Sequence, residues 1–165
     1  MNVLKTSELM TVRQHGAMEH TTPPCDLDEV RNYRLARIQE ELVRQDLAGI
    51  ILYDQLNTRY ATDATNMQIW CSHNEARYVY VPANSEAVIF EYGGKNLLSE
   101  GLPGIDRTVK PISFFYMSAG QHVSERAKQW AVQMDSIIRE HSGGNRRIAI
   151  DRLAPVGIQE MEALG

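Results

Sequence analysis

The chain is poor in cysteine. Its 165 residues hold two, Cys25 and Cys71, and their separation matches neither a redox pair nor a metal knuckle. A disulfide framework, a zinc ribbon and a thioredoxin-like centre are therefore not expected. Two free thiols fit a reducing compartment, and the cytoplasm is the expected location. Long apolar runs are missing too. A bilayer span takes roughly 20 consecutive apolar residues and a secretory leader an apolar segment of roughly 7–15, and neither pattern stands in these residues. No block of Lys or Arg occurs, and the formal net charge is −4, so neither nucleic acid nor a membrane surface is an expected partner. A phosphate loop is also excluded. Around Gly93, Gly94 and Lys95 that pattern wants Gly at position 89 and Ser or Thr at 96, where the chain has Ile89 and Asn96.

What is present fits one domain preceded by an arm. A chain of this size can bury roughly two thirds of its unfolded surface without disulfides or metals. Residues 1–25 are polar, carry His15, His20 and the Pro23-Pro24 break, and have no period that could bury a face, so a flexible arm is expected there. Asp26 is a helix cap with Glu29 three residues on. After it Leu35, Ile38 and Leu42 fall at helical spacing, while Arg31, Arg34, Arg37, Glu40, Glu41 and Arg44 read as a solvated face. Gly49 ends that helix and a strand is predicted over 49–53. Further strands are predicted over 59–62, 77–82, 87–92, 108–115 with a bend at Pro111, and 147–151. The second and third of these form a hairpin. Helices are predicted over 95–101, from Val123 to His141, and over 154–164 with Pro155 in the first turn. The sum is an α/β domain over 26–165, a mixed β-sheet flanked by helices.

Between the apolar strands, residues 53–82 crowd polar side chains, and displayed loops carry function more often than strands do. The acid and base candidates there are Asp54, Asp63, His73 and Glu75. They do not assemble into a nucleophile with its base or into paired carboxylates, and Ser72 and His73, as sequence neighbours, point apart. Recognition is the better reading: Trp70 with Met67 and Ile69 offers apolar contact, and Asn66, Gln68, His73 and Asn74 offer neutral hydrogen bonds. For Trp70 itself, residue chemistry alone favours the plainer reading, hydrophobic cover folded back over the sheet edge.

Four stretches carry a resemblance: the helix opening at Asp26-Leu27-Asp28-Glu29-Val30-Arg31, the strand at Gly49-Ile50-Ile51-Leu52-Tyr53-Asp54, the element Asn57-Thr58-Arg59-Tyr60-Ala61-Thr62-Asp63, and the late strand Asn145-Arg146-Arg147-Ile148-Ala149-Ile150-Asp151. Together they resemble the N-terminal domain of the creatinase/prolidase family of metallopeptidase-like proteins. The string from Arg59 to Trp70, followed by His73 and Asn74, is most similar to the dimethylsulfoniopropionate lyase branch. The resemblance implies a domain that is not catalytic alone and that precedes a larger "pita-bread" catalytic domain, whose two divalent metal ions are held by two Asp, one His and two Glu. No metal ligand is thereby carried onto this chain.

The resemblance further implies a homodimer in which this domain lends a loop to the partner subunit's active site, with Trp70 in the wall of the substrate pocket and Asn66 and His73 as further substrate-binding candidates. The substrate would be a small molecule or an Xaa-Pro dipeptide, the reaction a lyase or hydrolase one. An indole face suits a sulfonium or quaternary ammonium through its quadrupole. The alternatives are a stand-alone small-molecule binding or dimerisation module, and a hydrolase that uses His73.

Overall fold

The computed structural model of the chain describes residues 25–65 and 69–165. The arm expected over 1–25 lies, but for Cys25, outside them, as do His15, His20 and Asn66.

The first helix, α1 (Leu27–Arg44), begins where the cap residue predicts. The Asp26 carboxylate accepts from the backbone N–H groups of Asp28 at 3.0 Å and Glu29 at 3.2 Å. The helix stops before the expected Gly49: it ends at Arg44, the left-handed residue after it is Asp46 (φ 56°), and Gly49 opens strand β1 (Gly49–Leu52). A Cβ at Gly49 would come within 2.5 Å of the Tyr80 ring and 2.7 Å of the Val81 carbonyl oxygen, so the close approach of the next strand requires a residue without one.

The predicted strand at 59–62 is instead part of a helix, α2 (Gln55–Thr62). Asp54 caps it by accepting from Leu56 N–H at 2.8 Å and Asn57 N–H at 3.1 Å. Its buried positions, Gln55, Thr58, Ala61 and Thr62, follow a helical period, not an alternating one. The cap signal at Asp54 outweighs the β-branched and aromatic residues that suggested a strand.

Strands β2 (Tyr78–Pro82) and β3 (Ala87–Phe90) form the predicted hairpin. Residues 95–98 make a single 3-10 turn where a longer helix was expected. Strand β4 (Ile105–Val109) stops before Pro111, so the strand predicted over 108–115 is shifted toward the N-terminus: Pro111 ends it, having no N–H to give a ladder. Then come the short α3 (Tyr116–Ala119), the long α4 (Val123–Ser142), β5 (Ile148–Ile150) and α5 (Pro155–Glu162).

The five strands stand in the order β4-β3-β2-β1-β5. β2 runs antiparallel to β1 and β3, while β4 is parallel to β3 and β5 parallel to β1. Side-chain alternation then builds two cores. Ile51, Tyr78, Tyr80, Val88 and Phe90 face α4, where Ala127, Trp130, Ala131, Met134 and Ile138 fall on one stripe. Leu52, Val79, Val81, Ala87 and Ile89 face α1 and α2, against Leu35 and Ala61. Because β2 and β3 are covered on both faces, they read in sequence as apolar runs. Each large side chain so buried contributes about 1.5–3 kcal/mol. No described helix is long and apolar enough to cross a membrane.

Candidate functional site

Four strands point their C-terminal ends, and β2 its N-terminal end, at one rim of the sheet. The polar stretch 53–77 spans this rim, but only part of it is displayed. Gln55, Thr58, Thr62 and Arg77 are buried and satisfied within the fold. Thr58 Oγ1 donates to the Leu52 carbonyl at 3.2 Å and Thr62 Oγ1 to the Thr58 carbonyl at 2.8 Å. Gln55 donates to the Tyr53 carbonyl at 3.1 Å and accepts from Arg77 Nη1 at 3.1 Å.

Helix α2 ends at Asp63, which adopts left-handed geometry (φ 56°). Its carboxylate takes Nε and Nη2 of Arg31, from α1, at 3.0 and 2.8 Å, with Arg59 and Arg34 at 3.7 and 4.0 Å. Part of the arginine face of α1 thus anchors the C-terminal end of α2 at Asp63.

The loop re-enters the described residues at a 3-10 turn, Ile69–Ser72. Trp70 is 38% exposed. Its ring stands edge-on to Tyr92, centroids 5.0 Å apart at 66°, and 6.1 Å from Phe115. The next side chain, Cys71, is buried, with Sγ 3.2 Å from Tyr92 Oη. The Trp70 carbonyl accepts from Asn74 Nδ2 at 2.8 Å and from His73 N–H at 3.2 Å. Ile69, Tyr116 and Met117 are strongly exposed beside these aromatics in sequence. Two residues just past β5 complete the rim. Asp151 accepts from the N–H groups of Tyr53 at 2.8 Å and Asp54 at 3.0 Å and from Asn57 Nδ2 at 3.1 Å. Arg152 donates to the carbonyls of Ser72 and Cys71.

Both cysteines are free, Cys25 exposed and Cys71 buried. Burial pushes the Cys71 thiol up, partly offset by its hydrogen bond to Tyr92; a neutral thiol is a poor nucleophile. The four acid and base candidates are not brought to one point. Asp54 is a helix cap, Asp63 is bound by arginine, and His73 is exposed. Among the described residues no group of three His, Cys, Asp or Glu could hold a metal ion, so these residues do not fit such a centre. Of the three substrate-binding candidates, Trp70 has a set of aromatic partners among the described residues, while Asn66 lies outside them.

A groove of about 660 Å³ lies elsewhere, between α1 and the β1–β5 side of the sheet, floored by Ile38, Leu42, Leu47, Ile50 and Ala149. It holds no assembled reactive group, and the rim at Trp70 remains the better candidate. Tyr92, Phe115, Asp151 and Arg152 were not singled out by sequence reasoning. Asp151 had a usable signal, as an acidic residue directly after an apolar strand; Tyr92 and Phe115 had none short of the sheet order.

No protein-family model matches the chain. The chain spans about a third of the length of the curated relatives it matches, 31% of each. Over 140 residues, 85% of its own length, it is similar to two enzymes named dimethylsulfoniopropionate lyase DddP, 36% identical to that of Roseovarius nubinhibens and 34% to that of Roseobacter denitrificans.

Proposed function

We propose that residues 26–165 are the N-terminal domain of a creatinase/prolidase-like two-metal enzyme of the dimethylsulfoniopropionate lyase type. In this reading the domain does not turn over substrate alone. It contributes dimer contacts and places Trp70 in the substrate pocket of a partner subunit in a cytoplasmic homodimer. The observation that carries the reading is the half-exposed indole of Trp70, backed by Tyr92 and Phe115, in a chain similar to two enzymes named for a sulfonium substrate.

The chemistry is a β-elimination. A base takes a proton from the carbon next to the carboxylate, the carbon–sulfur bond breaks, and dimethyl sulfide and acrylate leave. The base and the metals are assigned to a catalytic domain outside this chain. Trp70 would attract the sulfonium while it carries its charge, by about 2 kcal/mol when desolvated. As the bond breaks sulfur becomes neutral, so this attraction is spent on binding and not on the barrier. Asn66 and His73 are assigned hydrogen bonds to the polar end of the substrate.

The test has two parts. The coding sequence beyond Gly165 is read for the series of two Asp, one His and two Glu, and the full-length product is assayed for dimethyl sulfide release and for Xaa-Pro cleavage. Dimethyl sulfide release supports the reading, while peptide cleavage alone moves the protein to the prolidase side. A coding sequence that ends at Gly165 would replace it with a stand-alone small-molecule binding or dimerisation module.

A further inference from the structure

The turn that displays Trp70 spans four residues, too short to hold its own shape. Its last carbonyls, those of Cys71 and Ser72, have no further turn to pair with. The structure brings a guanidinium to them from 80 residues away: Arg152 Nη1 donates to the Ser72 oxygen, and Nη2 to the Cys71 oxygen at 3.4 Å. A cation at helix-end carbonyls is favoured by both hydrogen bonding and the local dipole.

Arg152 is drawn in so far that its Nε is buried without a hydrogen-bond partner among the described residues. Such an orphan donor is costly, and an arginine serving only as a surface charge would not incur it. Its sequence neighbour Asp151 grips the opposite side of the rim, at the N-terminus of α2, so the end of β5 fixes the direction from which Arg152 reaches the turn.

We infer that Arg152 is a positioning residue: it holds the Ile69–Ser72 turn so that the partly exposed Trp70 indole stays seated on Tyr92. This rests on the reading that Trp70 lines a substrate pocket, but it has a readout of its own. The chain has two tryptophans; Trp130 is fully buried and Trp70 partly exposed, so a neutral quencher reports mainly on Trp70.

The experiment is acrylamide quenching of the tryptophan emission in this chain and in Arg152→Gln and Arg152→Lys, with far-ultraviolet circular dichroism to show that each is folded. Arg152→Gln is expected to raise the quenching constant about twofold through greater solvent exposure of Trp70, and Arg152→Lys to fall between it and the parent. A folded Arg152→Gln that quenches like the parent overturns the inference. If Arg152→Gln does not fold, the comparison is made with Arg152→Lys, and equality with the parent again overturns it.

In the full-length enzyme, Arg152→Gln is expected to raise KM severalfold with kcat within about twofold; a loss of kcat at constant KM also overturns it. A Trp70→Ala variant with unchanged kinetics would sink the pocket reading and leave the quenching result standing. Unchanged quenching in Arg152→Gln would do the reverse.

Discussion

Arg77 Nε lies 2.5 Å from Glu91 Oε1, and both side chains are fully buried. The pair joins the start of β2 to the residue after β3, under the loop that carries Trp70. Removing one partner strands a charge in the interior, so Arg77→Leu is expected to cost about 3–5 kcal/mol, whereas Arg77→Leu with Glu91→Leu recovers most of it. Urea denaturation of the single and double variants measures both values. A single variant within about 1 kcal/mol of the parent would show that the charge is not confined as described.

Asp63 offers a second test, because its conformation and its charge can be separated. Asn tolerates left-handed geometry about as well as Asp, so Asp63→Asn removes the ion pairs with Arg31, Arg59 and Arg34 and leaves the backbone conformation. Asp63→Val removes the pairs and adds backbone strain. The valine variant is expected to be less stable than the asparagine one by about 1–2 kcal/mol. Equal stabilities would argue that φ at this position relaxes freely.

Three tyrosines set the alkaline limit of the fold. Burial raises Tyr53 and Tyr78, and pushes Tyr80 up to about 12. The folded state therefore keeps these protons at pH values where the unfolded chain loses them. The corresponding stability is fully present below the unfolded tyrosine value of about 10 and declines as pH rises from there through the folded value of Tyr80. Denaturation midpoints are expected to be flat with respect to these groups below about pH 10 and to fall above it. Ionisation of these rings, followed at 295 nm, should coincide with unfolding. Midpoints that hold steady through pH 12 would contradict the burial of Tyr80.

If Trp70 lines the proposed pocket, Trp70→Ala in the full-length protein is expected to raise KM for a cationic substrate by about tenfold or more. In the proposed elimination the sulfonium loses its charge as the carbon–sulfur bond breaks, so kcat should not fall in the variant and should rise to the extent that the charge is lost in the transition state. Steady-state kinetics decide this, and identical constants in the variant would leave Trp70 as cover for Tyr92 and Phe115.

The layers of the fold were legible in sequence because they rest on local signals. The Asp26 cap, the stripe from Ala127 to Ile138 and the apolar runs of β2 and β3 each determine an element without reference to the rest. The helix α2 was missed because Tyr60, Ala61 and Thr62 suit a strand while the deciding feature, the Asp54 cap, stands several residues before them. Polar residues at 53–77 were read as displayed; Gln55, Thr58, Thr62 and Arg77 are buried, the two threonines bonded to carbonyls of their own helix and of β1, and Gln55 and Arg77 to each other across 22 residues, a pairing that no local pattern reveals. The site was half legible. Trp70 stood out by residue type, but its companions Tyr92, Phe115 and Arg152 become neighbours only once the strand order is set.

The rim contacts also fix an order of events. Asp151 reaches Tyr53 across 98 residues of chain, and Arg152 reaches Ser72 across 80, whereas the β2–β3 hairpin closes locally. Contacts of long sequence separation form after local ones during folding. The seat of Trp70 is therefore expected to be completed late, when β5 joins β1. By the same reasoning, release of β5 is expected to loosen the tryptophan turn while the hairpin and the long helix still hold.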